Sequence, residues 1–233
     1  MPPVLNEGQM KEIVGFAEER HRSCDLNHAM DHIQLTVKLS GYLAGKEDAD
    51  KEICTVAAYL HDIAKGDSAD EPKGDFAELK KESDGHGPIG AQEAKEFLKK
   101  LDVPDYFVDQ VQYAISQHDN DSPKESKEAA VLWDADKLQL VGPLGFARIF
   151  AYHMIYVKKD VYYAIEQARY WQEFFLERFC TGTGRHAARN LHQFMKEFFR
   201  LCDASRDGAT DSILREPAVI RYSIPHPAQE DRF

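Results

Sequence analysis

The chain has 233 residues, 43% of them apolar, with 29 basic and 40 acidic side chains and a net charge of −11. That is enough for one globular domain with a core of its own, and it excludes a disordered chain. The acid excess argues against non-specific binding to a nucleic-acid backbone, which needs basic surface, yet small anionic substrates stay open because a metal ion can supply local positive charge.

No apolar run reaches the length of a membrane span. The first residues, Met1-Pro2-Pro3-Val4-Leu5-Asn6-Glu7, show neither a basic nor an apolar leader region, so no secretory signal is expected. Cys24, Cys54, Cys180 and Cys202 lack any CxxC spacing and read as reduced thiols of a cytoplasmic protein.

The pattern is helical almost throughout, and an all-α bundle is expected. Asn6 caps a first helix running to Arg22, with Met10, Ile13, Val14 and Ala17 on one face. A break covers residues 23–27. The second helix places His32, Leu35, Leu39 and Leu43 on a stripe predicted to be buried, ends at Gly45, and leaves Asp48 to cap the third. The third runs through Ile53-Cys54-Thr55-Val56-Ala57-Ala58-Tyr59-Leu60 into His61-Asp62 and on to Lys65, with small residues Ala57 and Ala58 beneath His61.

Residues 66–85 form a long Gly-, Asp- and Pro-rich loop, long enough for a lid or binding loop. His86-Gly87-Pro88-Ile89 opens the fourth helix and Val103-Pro104 the fifth, whose apolar face (Phe107, Val111, Ala114, Ile115) ends in His118. The sixth holds residues 128–138. Gly142-Pro143-Leu144-Gly145 interrupts the chain, and two aromatic helices follow over 146–157 and 161–180, then one over 185–202. The aromatic residues read as packing. Residues 1–203 are expected to form one domain, with an extended tail over 204–233.

Polar residues on apolar helix faces are the informative feature. His32, His61, His86 and His118 lie on four different helices, joined by Asp62 and by Asp134-Ala135-Asp136 on a fifth. One buried histidine is most simply a hydrogen-bonded core residue. Four near helix ends suit a shared metal centre, since a divalent cation takes neutral imidazole nitrogen and carboxylate oxygen together.

The order His32, His61-Asp62, Asp136 resembles that of the HD-domain metal-dependent phosphohydrolases, in particular small bacterial-type members. Asn27-His28-Ala29-Met30-Asp31-His32 resembles the first-histidine segment and His61-Asp62-Ile63-Ala64-Lys65 the namesake motif. His86-Gly87-Pro88-Ile89-Gly90-Ala91 and Ile115-Ser116-Gln117-His118 are similar to two further histidine segments. Asp134-Ala135-Asp136-Lys137-Leu138 resembles the final-aspartate segment, and residues 142–148 continue it. The resemblance covers residues 25–155.

It implies His32, His61, Asp62 and Asp136 as ligands of a principal divalent metal (Mn, Fe, Co or Ni, with Mg compatible). His86 and His118 would be ligands of a second ion bridged by Asp62, or phosphate contacts if there is one ion. Asp134 and Asp136 point roughly 200° apart on a helix; periodicity does not choose between them, and the family pattern favours Asp136, with Asp134 as a cap or outer contact. Many relatives carry arginine three residues after the first histidine, where this chain has Leu35, so phosphate contacts are sought at Lys65 or Arg148. Lys65 also reads as a solvated helix-end lysine placed for the dipole. His28 is a candidate proton donor and Glu128 a candidate outer contact.

The implied activity is hydrolysis of a phosphate ester or anhydride in a small nucleotide by a metal-activated water. Nucleoside phosphates and dinucleoside polyphosphates both fit, with the Gly-Pro-Ile-Gly-Ala context leaning to the second. The alternatives are a binuclear-iron oxygenase and a non-catalytic metal-stabilised regulatory module. The aromatic C-terminal helices suit either packing on the core or a homodimer face.

Overall fold

The structure is a computed structural model that describes residues 3–22, 24, 27–65 and 85–213; most of the expected break at 23–27, nearly all of the expected loop at 66–85, and the tail from 214 lie outside them. Among the described residues there is no strand, and the chain is all-α as expected.

Helix α1 spans Glu7–Arg20, opened by a reciprocal pair in which Asn6 Oδ1 accepts from Gln9 N and Gln9 Oε1 accepts from Asn6 N. Helix α2 spans Met30–Glu47 and differs from expectation at its end. It runs past Gly45 and stops at Asp48, which takes the left-handed conformation at φ 55°. Asp50, not Asp48, then caps α3 (Lys51–Leu60), accepting from Glu52 N and Ile53 N at 2.9 and 3.1 Å.

Helix α3 also ends earlier than expected. After Leu60 the chain tightens through His61-Asp62 into a 3-10 turn at Ile63–Lys65, closed by Lys65 N donating to Asp62 O. The His-Asp pair therefore sits in the turn rather than on the helix barrel. Helices α4 (His86–Lys100) and α5 (Asp105–Ser116) pack as neighbours, and α6 (Lys127–Lys137) is capped by Ser126 Oγ on Ala129 N. A second 3-10 turn, Leu138–Leu140, leads into α7 (Gly142–Tyr152), which finishes in a π turn at His153–Val157. Helices α8 (Val161–Leu176) and α9 (Gly182–Arg206) follow.

Two apolar cores result. Ile53, Val56, Ala57 and Leu60 of α3 and Leu132 of α6 join the first, with Ile13, Leu98, Phe107, Val111 and Ile115. Cys54 of α3 and Val131 and Ala135 of α6 join the second, with Leu43, Ile149, Trp171 and Phe175. Because α3 and α6 feed both cores, their C-terminal ends, which carry His61-Asp62 and Asp136, are held from two sides. The chain divides within α9 into units Met1–His192 and Gln193–Phe233; all that follows concerns the first. No single described helix is long and apolar enough to cross a membrane.

Gly145 marks the tightest approach to another stretch of backbone. A Cβ there would fall on the carbonyl carbon and oxygen of Leu140, rigid backbone with no side-chain end to swing aside. We expect Gly145→Ala to lower stability by about 3 kcal/mol or more, in the range of severe overpacking. Chemical denaturation reads this directly, and an unchanged midpoint would show that the 138–145 segment is free to shift.

Candidate metal centre

Five elements bring their ends together. His32 comes from the first turn of α2, His61 and Asp62 from the turn after α3, His86 from the start of α4, His118 from the turn after α5 and Asp136 from the end of α6. All are buried apart from His86, which is half-buried. The buried stripe of α2 is rotated from the expected one: Ile33, Thr36 and Ser40 face inward with His32, while Leu35 and Leu39 are only partly covered. The reason is Gln139, which inserts against α2 and donates from Nε2 to Thr36 Oγ1 at 2.7 Å.

Asp62 stands at the middle. Its Oδ1 lies 3.1 Å from His86 Nε2 and 3.2 Å from His118 Nε2, and its Oδ2 lies 3.3 Å from His61 Nε2 and 3.6 Å from His32 Nε2. Asp136 Oδ1 adds a second carboxylate oxygen 3.5 Å from His32 Nε2.

The outer nitrogen of each ring faces an acceptor. His32 Nδ1 meets Gln139 Oε1 at 3.1 Å, His61 Nδ1 meets Ala58 O at 2.9 Å, His86 Nδ1 meets Asp119 Oδ2 at 3.4 Å and His118 Nδ1 meets Ile115 O at 2.6 Å. A carbonyl or carboxylate only accepts, so each Nδ1 carries the hydrogen and the neutral ring turns the Nε2 lone pair inward. This puts Nε2 atoms face to face, 3.3 Å apart for His32 and His61 and 2.9 Å apart for His86 and His118. Lone pairs so arranged repel unless a cation or proton lies between them.

Burial pushes the His61 imidazole down to about 3 and also lowers that of His86. Burial opposes ionisation of Asp62, but once a proton lies on the inward Nε2 atoms the charge of His61 and hydrogen bonds from His118, His32 and His86 outweigh it and hold the carboxyl well below its ordinary range. At Asp136 burial is likewise outweighed, here by the Lys137 ammonium and by His32 and His61, and the carboxyl is held low. Neutral imidazoles beside ionised carboxylates are the protonation states a divalent cation requires.

Two triads of donors result, His32-His61-Asp62 and Asp62-His86-His118, each with its ligand atoms within 4.8 Å of one another. Asp136 borders the first triad and Asp62 belongs to both. The nitrogen and carboxylate set fits a divalent metal, so the residues expected from the sequence are those that come together.

Three contributors were not singled out from the sequence. Asp119 Oδ2 accepts from Gly87 N at 2.9 Å while it faces His86, and a Cβ on Gly87 would strike that carboxylate. Gln139 fixes His32. The Lys137 ammonium sits 2.5 Å from Asp136 Oδ2, over the rings of Trp133 and Phe175, and burial's downward pull on it is outweighed by Asp136, so its pKa is raised. It occupies one oxygen of Asp136 and leaves the other toward His32. Of these, only the local word Asp136-Lys137 gave any signal.

The remaining candidates are spread around this centre. Lys65 is half-buried at the end of the 3-10 turn, close enough for its charge to act on His86. The ring of His28 lies edge-on to His32, with centroids 6.4 Å apart. The buried guanidinium of Arg148 donates to Asn27 O and Asp31 Oδ2, both at 3.3 Å. Asp134 is turned away: it accepts from Cys180 N, Thr181 N and Thr181 Oγ1 at 2.7, 2.8 and 2.6 Å, just ahead of α9, and burial pushes its carboxyl up to about 6 against those bonds. Glu128 Oε1 accepts from Asp50 N at the start of α3, the opposite end of that helix from His61.

Since imidazole orientation governs ligand strength, Gln139→Leu should weaken metal binding roughly 10- to 100-fold. Titration calorimetry with Mn would show it; an unchanged affinity would mean that Gln139 only fills space.

An all-α domain with a buried histidine and aspartate centre is the class so defined. The family model of the HD domain matches residues 29–140. These residues of the chain form an HD domain. It is 27% identical over 184 residues to the uncharacterized protein YpgQ of Bacillus subtilis, covering 74% of this chain and 82% of the relative. Its fold is similar to that of a predicted HD superfamily hydrolase from an uncultured Thermotogales bacterium (TM-score 0.60, 24% identity, 85% and 93% of the two chains). It is also similar to that of an HD-superfamily hydrolase from Bacillus thuringiensis (TM-score 0.61, 20% identity, 86% and 98%) and that of YpgQ in complex with ADP (TM-score 0.57, 20% identity, 85% and 98%).

Proposed function

We propose that this protein is a phosphohydrolase that cleaves a phosphate ester or anhydride of a small nucleotide. The observation that carries this reading is Asp62, whose two oxygens each face a separate pair of imidazole Nε2 atoms. Bound there, one or two divalent ions (Mn, Fe, Co, Ni or Mg) would polarise a phosphoryl oxygen and ease deprotonation of a water. Asp62, His32, His61 and Asp136 hold the principal position. His86 and His118 hold a second one or contact phosphate directly. Lys65 and Arg148 carry the positive charge that phosphoryl oxygens need as charge builds on them. The ADP found in the structure of YpgQ supports a nucleotide as the ligand class. The free cysteines, Cys24, Cys54, Cys180 and Cys202, suit a reducing cytoplasm.

The test is release of phosphate or pyrophosphate from nucleoside mono-, di- and triphosphates and dinucleoside polyphosphates, with Mn, Co, Ni or Mg added. Turnover of at least one nucleotide, lost on chelation, is expected. No release from any of them would overturn the proposal, and an oxygen-dependent reaction of a di-iron form would put an oxygenase in its place.

A further inference from the structure

The mouth of the centre shows in how much of each side chain stays uncovered. His61 and His118 are sealed, and Asp62 and His32 are each 6% exposed. Exposure rises to 11% at Asp136, 13% at His86 and 15% at Lys137. A substrate therefore meets the centre on the side where these last three lie. Two of them belong to the set that would hold metal. The third, Lys137, is the last residue of α6.

Lys137 is held firmly in that place. Its ammonium lies 5.1 Å from the ring centroid of Trp133 and 5.8 Å from that of Phe175, and Asp136 Oδ2 accepts from it at 2.5 Å. Burial opposes the charge of this ammonium, while Asp136, then Asp62 and Asp119, act in its favour. A lysine standing behind Asp136, away from the centre, would answer to Asp136 alone. This one lies near enough for Asp62, shared by both donor triads, and Asp119, which faces His86, to act on it as well. Lys124 shows the other use of such a cation. Its ammonium lies 4.3 Å from the same Trp133 centroid, but it donates to Asn120 O, Asn120 Oδ1 and Ser122 O at 2.5, 3.3 and 2.9 Å and so closes its own loop.

Asp136 turns Oδ2 to Lys137 and Oδ1 to His32. The ammonium and the first donor triad are thus fixed on the two oxygens of one carboxylate. A phosphoryl group has the matching form, with one oxygen for a cation at the triad and another, on the same phosphorus, for the ammonium. An ammonium has three N–H donors, so holding Asp136 leaves it donors for such an oxygen. Charge builds on the phosphoryl oxygens as the bond to phosphorus breaks, and a cation fixed beforehand needs no reorganisation to meet it.

We propose that Lys137 is a catalytic residue whose ammonium, held by Asp136, donates to a non-bridging oxygen of the phosphoryl group that is cleaved. This rests on the phosphohydrolase reading above and deepens it. Lys137 keeps its proton throughout and forms no covalent bond; it binds the phosphoryl group and stabilises the charge that develops there.

The experiment compares wild type with Lys137→Met, which keeps an unbranched side chain over Trp133 and Phe175, and Lys137→Gln, which keeps an N–H donor for Asp136. Each is titrated with Mn by calorimetry, and kinetics are taken at saturating Mn on a nucleotide that wild type turns over. Mn affinity should stay within a few-fold of wild type, since the variants lose a cation and not a ligand. The kcat of both should fall roughly 100- to 1000-fold, the usual cost of one donor to a developing oxyanion, with a smaller change in KM. Inorganic phosphate should bind the Mg-loaded variants roughly 10-fold or more weakly than it binds wild type. In 15N-lysine spectra of the Mg-loaded wild type, adding phosphate should shift the Lys137 Nζ signal.

A kcat within a few-fold of wild type in both variants would overturn the proposal. If that kcat goes with weakened Mn binding, Lys137 only holds Asp136 in place. An Nζ signal that phosphate leaves unmoved while it binds would overturn it without any variant. If wild type turns over no nucleotide, the functional reading fails, and the phosphate titration still decides this inference: equal binding to wild type and both variants would overturn it.

Discussion

Replacing Asp62 with alanine should abolish metal binding and turnover together. Loss of a contact that only orients a ligand costs 10- to 100-fold in affinity, and Asp62 supplies one oxygen to each donor triad, so its loss should exceed about 100-fold at both positions. The effect is also readable as stability. At a hundredfold excess over Kd, a metal that binds only the folded state adds about 2.7 kcal/mol, roughly 5–10 °C in Tm for a chain of this size. Wild type should show that rise on adding Mn and Asp62→Ala should show none. Without metal the variant should stay folded, because removing the carboxylate leaves Nδ1 of His32, His61, His86 and His118 each still facing its acceptor. An Asp62→Ala protein that keeps its metal would sink the ligand assignment.

His61 and His118 were legible in the sequence because each ends an apolar run, and a polar residue at the end of a buried stripe shows in one dimension. What one dimension hides is which polar residues face one another. Asp119 follows His118 directly, yet its role is to hold Gly87 and His86, 32 and 33 residues earlier. Gln139 reaches back over 100 residues to His32, and no periodicity links the two. The rotated stripe on α2 is the same effect at the level of packing: leucine spacing favours Leu35 and Leu39, but the inserted amide of Gln139 selects Thr36. Helix ends shifted for local reasons. Asp48 adopts the left-handed conformation that the expected Gly45 stop would have supplied, and the His61-Asp62 turn tightens into 3-10 geometry that leaves His61 Nδ1 on Ala58 O.

The pair Asp134 and Asp136 carries the sharpest separation of roles in the chain, two positions apart and facing different partners. Asp134 accepts from two backbone N–H groups and a hydroxyl next to Gly184, where any Cβ would overlap its carboxylate. Asp134→Ala leaves those donors buried without partners, at about 1–3 kcal/mol for each that water does not reach, and removes the anchor ahead of α9. A loss of about 2–4 kcal/mol is expected, seen as a fall of roughly 5–15 °C in Tm, with Mn affinity within a few-fold of wild type. Asp136→Asn should behave in the opposite way. The amide oxygen can still accept from Lys137, so the ammonium over Trp133 and Phe175 keeps a partner, but the negative charge facing His32 is gone and metal affinity should fall by more than about 100-fold, beyond the loss of an outer contact. Thermal unfolding and calorimetry on the two variants separate these outcomes. If Asp134→Ala loses the metal while Asp136→Asn keeps it, Asp134 is the residue that serves the centre, and the turn at Cys180-Thr181 must open to release it.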